Sequence, residues 1–485
     1  MRILYVDIDT TRADHFGCYG YLRKTTPNLD RIAEQGVRFE SCYVSDAPCL
    51  PSRASMFLGQ FGIHTGIVNH GGLAADRRYI GRERQFRTGG QKPGLIECLN
   101  KAGLHCVSVS PYAERHSAWW FHAGWREFYN TGKCGNEIAD DVVPIAMDWL
   151  KRNSKRDNWL LHVNVWDPHT MYRTPESFGH PFKDEPIDPW YTEEMRQAQW
   201  EGFGPGTPQE PSGAFGREFH NYPRQPNFVR SMADYKAFID GYDTGLRYAD
   251  EWLGRVFNEL ADQGVLDETA IIITSDHGEN LGELGVIADH AVADHITSRV
   301  PMIVRWPGLP GGRADAGLYY QTDIGATLVE LAGGEVPAHW DGRGFAERLK
   351  AGESGGRDHV VFGQCCWSCM RTVRWEDYMF CRTYHTGFKD YPARMLFNVA
   401  DDPHETADLA EAHPAVADHG QALIEQWTAD MMSRSAYAED PLWTVMREGG
   451  PFHTRDKLEG YCKRLRETGR AHHAEFLEAH PTGLA

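Results

Sequence analysis

Short apolar runs alternate with longer segments of helical spacing through the first two thirds of the chain. Residues 2–8, Leu104 to Ser110, Trp159 to Val165 and Ile271 to Ser275 have the mostly apolar character of buried strands, and Val37 to Val44 reads as a further strand. Between them, Thr26-Pro27-Asn28 opens a helix with Leu29, Ile32 and Ala33 on one face, which Gly36 ends. Further helices are predicted over Leu95 to Ala102, Ala139 to Asn153, Met232 to about Asp262, and Thr322 to Ala332. Tyr235, Phe238, Tyr242, Leu246, Ala249 and Leu253 keep helical spacing in the longest of these, which makes them core residues. The alternation predicts an α/β fold, with a large, mostly parallel sheet sandwiched by helices.

Two stretches break the pattern. Residues 171–230 are rich in Pro, Gly and aromatic residues without periodicity. So long an irregular insertion reads as a lid that shapes substrate choice. From about Arg357, His359 to Phe362 and Met370 to Trp375 read as strands of a smaller antiparallel sheet. The chain thus divides into a catalytic α/β domain (1–355), a smaller α+β domain (356–445) and a charged helical tail (446–485). The tail reads as solvated helix, with contacts in a homo-oligomer as its alternative.

The net charge of −18 argues against nucleic acid or an anionic membrane as main partner. An anionic substrate must then be drawn in by a local positive cluster. Eleven cysteines, odd in number and scattered, suit a reducing compartment. Cys365-Cys366-Trp367-Ser368-Cys369 lacks the second Cys or His pair that zinc requires. Met1-Arg2 runs into an apolar stretch broken by Asp7 and Asp9, unlike a signal peptide, and no apolar run reaches the ~20 residues of a membrane span. A cytoplasmic protein is expected.

Chemistry-bearing residues gather where predicted strands end, the edge at which α/β sheets hold their sites. Asp9 follows the first strand, with Asp7 on the same face as a supporting carboxylate. Pro51 suits the start of a helix, placing Cys49 at the helix's positive end and Arg53 one turn on. Such a position attracts an anion and favours the thiolate. Arg115 and His116 follow the strand ending at Ser110. His169, after Trp166-Asp167-Pro168, is placed as a general acid. Asn69, in the polar stretch His64 to His70, either donates to a substrate oxygen or caps a loop.

Cys49-Leu50-Pro51-Ser52-Arg53, closed by Leu58-Gly59, resembles the signature of the type I sulfatases, within the alkaline-phosphatase-like superfamily. Ser275-Asp276-His277-Gly278-Glu279 resembles that family's metal motif, and Asp167-Pro168-His169 its Pro-His segment. The similarity runs over roughly residues 2–430. It implies that a maturation enzyme oxidises Cys49 to formylglycine, whose hydrate is the nucleophile. It also implies one divalent cation on Asp9, Cys49, Asp276 and His277. Oxygen donors favour calcium or manganese, and the imidazole tilts toward manganese. Arg115 and His116 take the place of the family's basic pair, and His169 contacts sulfate or the leaving group. His290, nine residues ahead of Arg299-Val300-Pro301, stands where the family binds sulfate; His295 does not meet that spacing. Thr10 occupies the position where many sulfatases carry a second aspartate, and this single-aspartate version resembles the choline-sulfatase and phosphonate monoester hydrolase branches. The implied activity is hydrolysis of a sulfated sugar or other small alcohol ester. The alternatives are phosphonate monoester or phosphodiester hydrolysis, and non-catalytic binding of sulfated ligands.

Overall fold

A computed structural model describes residues 1–78, 92–213, 215 and 221–484. The lid-like insertion therefore has residues 214 and 216–220 outside the described residues, as the tail has residue 485.

Eight strands form the large sheet, in the order Arg313–Tyr320, Val37–Tyr43, Met302–Arg305, Thr269–Ser275, Arg2–Ile8, Trp159–Val165, His105–Val109 and Glu127–Tyr129. Met302–Arg305 runs antiparallel to both neighbours, and the remaining pairs are parallel. Side chains alternate across the central strand. Ile3 and Tyr5 join one core cluster with residues of the helices Cys49–Leu58, Leu95–Lys101 and Gln321–Leu331. Leu4, Val6 and Ile8 join the opposite cluster with Pro27–Ala33, Ala139–Asn153 and Met232–Asp262. Helices cover both faces, so the central strands are buried along nearly their whole length and are mostly apolar.

Register places the site. Ile8 lies opposite Val165 on one side and Ser275 on the other. The next residue of each strand is Asp9, Trp166 and Asp276, so all three leave the sheet side by side at its C-terminal edge.

The second sheet contains His359–Gln364, Cys369–Trp375, Tyr378–His385 and Arg394–Asn398 as an antiparallel meander. Its last strand, Asp46–Ala47, comes from the N-terminal half and pairs parallel with His359–Gln364. The backbone entering the Cys49 helix is thus part of the smaller sheet.

Two expectations are corrected. The insertion holds a helix, Glu193–Glu201, capped by Thr192 and braced by an Arg196–Glu193 ion pair. Arg196 is its only buried residue, so it carries no apolar stripe for periodicity to reveal. The tail is not a solvated helix either. Leu458–Glu467 and Ala471–Ala479 bury Tyr461, Leu465, Ala474 and Leu477 against Phe203 of the insertion and Phe388. Arg464 and Arg470 both bind the buried Glu210 carboxylate. Among the described residues, no helix is long and apolar enough to cross a membrane.

Candidate active site

Cys49 opens the helix Cys49–Leu58, with Pro51 in its first turn. One turn on, Arg53 is fully buried and binds three carboxylates. Its Nε and Nη2 donate to the two oxygens of Asp7 at 2.8 and 3.1 Å, and its Nη1 donates to Asp9 at 2.8 Å and to Asp276 at 2.5 Å. Burial of so much charge is tolerable only because every member is paired. The Arg53 charge overrides the effect of burial on Asp9 and holds that carboxyl well below the usual range. Asp276 is pushed up to about 6 by burial and by its proximity to Asp9.

His277 donates from Nδ1 to the Gly278 carbonyl at 2.8 Å, so Nε2 presents its lone pair to the Cys49 sulfur 3.1 Å away. A second bond of this kind fixes the tautomer of a metal-binding histidine. The ligand atoms of Asp9, Cys49, Asp276 and His277 lie within 4.8 Å of one another; Cys49 and His277 form a second such group with His290. Among the described residues these are the groups able to hold a metal ion. Three carboxylates face one guanidinium here, and a set of two carboxylates, one imidazole and the side chain of residue 49 fits a divalent cation.

The readily ionised thiol expected from the helix terminus is not what the structure provides. Burial, reinforced by Asp9 and Asp276, raises the Cys49 thiol well above its usual range, and Arg53 offsets only part of this. The helix end is positive, but burial outweighs it, with the two nearby carboxylates adding to the effect.

The histidines line the approach to this centre. The His277 and His290 rings are 4.3 Å apart, and His169 is 6.0 Å from His290. His290 Nδ1 lies 3.6 Å from the Glu279 carboxylate. His295 instead bonds through Nδ1 to Tyr43 at 2.8 Å, away from the group. His169 donates from Nδ1 to the Thr170 carbonyl, and its Nε2 lies 4.0 Å from Asp9. Burial lowers its pKa to about 4, so its Nε2 must first gain a proton before it can give one. A bound anion favours that protonation. His116 is partly buried, 6.5 Å from Trp166, and its Nε2 has no partner. Arg115 is exposed but helps lower the Cys49 thiol, so its charge reaches the centre. Asn69 is fully buried; its Oδ1 accepts from the His70 and Phe452 backbones, while its Nδ2 is unpartnered. The Cys365–Cys369 segment packs Cys365 and Cys369 among Val68, Leu442 and Val445.

Sequence reasoning missed His453. Its Nε2 pairs with His70 Nδ1 at 2.9 Å, and its ring stacks on Trp367 at 4.4 Å. One histidine in a charged tail carries no spacing signal, and only the fold brings it here.

Fold and site define a hydrolase of the alkaline-phosphatase-like type. The sulfatase family model matches residues 2–334; the chain belongs to the sulfatase family and is an enzyme, a sulfuric ester hydrolase. The multifunctional alkaline phosphatase superfamily protein PehA of Trinickia caryophylli is 25% identical, over 91% of this chain and 96% of its own length. The N-acetylglucosamine-6-O-sulfatase of Bacteroides thetaiotaomicron is 23% identical over 70% of this chain and 69% of its own. Among solved structures, BT4656 in complex with its substrate D-glucosamine-2-N,6-O-disulfate superposes with a TM-score of 0.69 at 18% identity, covering 91% of this chain and 99% of that one. The phosphonate monoester hydrolase of Agrobacterium radiobacter has a TM-score of 0.66 at 19% identity, covering 89% and 96%.

Proposed function

We propose that this enzyme releases sulfate from a sulfated sugar or another small alcohol ester, with Cys49 converted to formylglycine as the nucleophile. The convergence of Asp9, Cys49, Asp276 and His277 around Arg53 at one sheet edge carries this reading. The cation, calcium or manganese, would be held by those four residues and supply Lewis acidity toward a sulfate oxygen. Arg53 stands fixed beside the nucleophilic position, where preorganised charge contributes most. His290 would bind the sulfate, with Arg115 drawing the anion in. A proton for the departing alcohol would come from His116 or His169. The partners implied are a small sulfated substrate and a formylglycine-generating maturation enzyme. Eleven unpaired cysteines support a reducing compartment such as the cytoplasm.

Intact-mass analysis of the Cys49 peptide tests the modification, which removes about 18 Da. Turnover of 4-nitrophenyl sulfate by that same preparation tests the reaction. Protein that stays a thiol and binds sulfated sugars without turnover would instead be a binder. Comparing His116→Ala with His169→Ala on aryl and alkyl sulfates assigns the acid. Its loss should cost about 10²–10⁴-fold on the alkyl ester and far less on the aryl one.

A second reading, phosphonate monoester or phosphodiester hydrolysis, is favoured by Thr10, whose hydroxyl donates to Asp9 at 2.6 Å where many sulfatases have another carboxylate. The likeness in fold to the phosphonate monoester hydrolase of Agrobacterium radiobacter supports it too. Faster turnover of phenyl phosphonate esters than of aryl sulfates would establish it.

A further inference from the structure

We infer that the tail segment around His453 forms one wall of the leaving-group subsite, and that His453 is a specificity-determining residue for a polyhydroxylated alcohol. The inference rests on the sulfatase reading above. This segment lies far beyond the residues matched by the family model, 2–334.

His453 is held in three ways. Its backbone N–H donates to the Cys366 carbonyl at 3.0 Å, its Nε2 meets His70 Nδ1 at 2.9 Å, and its ring stacks on Trp367 at an interplanar angle of 22°. Next to it, the Phe452 N–H donates to Asn69 Oδ1 at 3.3 Å. These contacts occupy Nδ1 of His70 and the oxygen of Asn69. Among the described residues, they leave Nε2 of His70, Nε2 of His116 and Nδ2 of Asn69 buried without a partner. The His70 and His116 rings are 5.1 Å apart, so the free groups run from the tail toward the proposed proton donor.

Buried polar groups are almost always satisfied, and three unsatisfied ones in a row call for a ligand that carries several donors and acceptors. Sugar hydroxyls meet that need. Burial also keeps His70, His116 and His453 neutral at pH 7, so the wall suits hydroxyls better than a second anionic group. Phe452, 44% exposed, packs over Gly71, where a Cβ would stand 2.1 Å from its ring. Such an exposed ring beside hydrogen-bonding groups suits the apolar face of a pyranose.

The test compares the metal-loaded, converted enzyme with its His453→Ala, His453→Gln and Phe452→Ala variants on a panel of 6-sulfated glucose, galactose and N-acetylglucosamine and on 4-nitrophenyl sulfate. For His453→Ala, kcat/KM on the best sugar ester should fall at least about tenfold relative to that on the aryl ester, mainly through KM. His453→Gln, which keeps a hydrogen-bonding group opposite His70, should recover part of the loss. Binding is read separately by saturation-transfer NMR of the unhydrolysed sugar esters on Cys49→Ala protein, with and without His453→Ala. Loss of that signal in the double variant supports the wall even if the wild-type enzyme hydrolyses no sulfate ester, in which case only the sulfatase reading fails. Equal losses on sugar and aryl esters, or sugar binding unaltered by either His453→Ala or Phe452→Ala, would overturn the inference while leaving that reading intact.

Discussion

At the inner end of the site, Arg53, Asp7, Asp9 and Asp276 are fully buried and bonded to one another. At its outer end, Asn69, His70 and His116 keep buried nitrogens with no partner among the described residues. The inner group satisfies its hydrogen bonds internally and is held rigid, as a reacting centre must be. The outer group leaves its bonds for something else to complete. Changes at the inner end should therefore abolish chemistry, and changes at the rim should redirect it.

The largest effect tests the inner end directly. Cys49→Ala should lower kcat on 4-nitrophenyl sulfate by about 10⁴-fold or more, since the proposed nucleophile is removed. A steady-state assay that finds a residual rate within tenfold of wild type would place the nucleophile elsewhere. Arg53→Lys comes next. Lysine cannot reproduce the paired contact with Asp7 while also reaching Asp9 and Asp276. An activity loss of about 10²–10³-fold is expected, and broken pairing of buried charge should cost about 3–5 kcal/mol in urea unfolding. Unchanged stability would show that the inner network is less tightly coupled than its geometry implies.

The two ends were not equally legible in the sequence. Asp9 and Asp276 follow short apolar runs, and Cys49 opens a helix marked by Pro51. Each is therefore found by asking where a strand ends or a helix begins, and register does the rest. The layered α/β fold was legible for the same reason, because strands covered on both faces are mostly apolar. His453 reaches His70 only after the tail helices have packed on Phe203 and Phe388 and Arg470 has found Glu210. None of these contacts has a local signature. The Asp46–Ala47 strand is likewise too short for its pattern to reveal that it joins the smaller sheet. The Cys49 thiol was misread because a helix terminus is a local feature, whereas its complete burial, and the approach of Asp9 and Asp276 from distant strands, come only with the fold.

Asp46 sits between the two ends, in the strand that enters the Cys49 helix. It accepts from Gly62 N–H at 2.7 Å and from Ser45 and Ser55, yet burial pushes its carboxyl up to about 7. The folded protein therefore holds this proton when the unfolded chain, with a pKa of about 3.9, has released it. Folding stability should fall as pH rises from about 4 to 7 and level off above that window. Asp46→Asn removes this contribution and should gain up to about 4 kcal/mol on wild type between pH 4.5 and 7.5. Asp167 and Asp289, also raised to about 7, retain their share of the slope in both proteins. Parallel urea-midpoint curves for the two would show that Asp46 does not carry the strain assigned to it.

The smallest effect concerns Thr10, which stabilises the inner end without facing a ligand position of its own. Its φ of 55° is unusual for a β-branched residue. Three bonds hold it there: its N–H to Asp276 at 2.9 Å, its carbonyl from Tyr242 at 2.9 Å, and its hydroxyl to Asp9 at 2.6 Å. The hydroxyl orients a carboxylate that would bind the cation, the kind of support whose loss costs about 10–100-fold in metal affinity. Thr10→Ala should weaken manganese binding near the lower end of that range, about tenfold. Thr10→Ser keeps the donor and removes the β-branch, so its affinity should stay within about twofold of wild type. Calorimetric titration of manganese into the metal-free variants separates the two. If serine and alanine weaken binding equally, the backbone at residue 10 matters rather than its hydroxyl, and the inner group is held by the sheet edge alone.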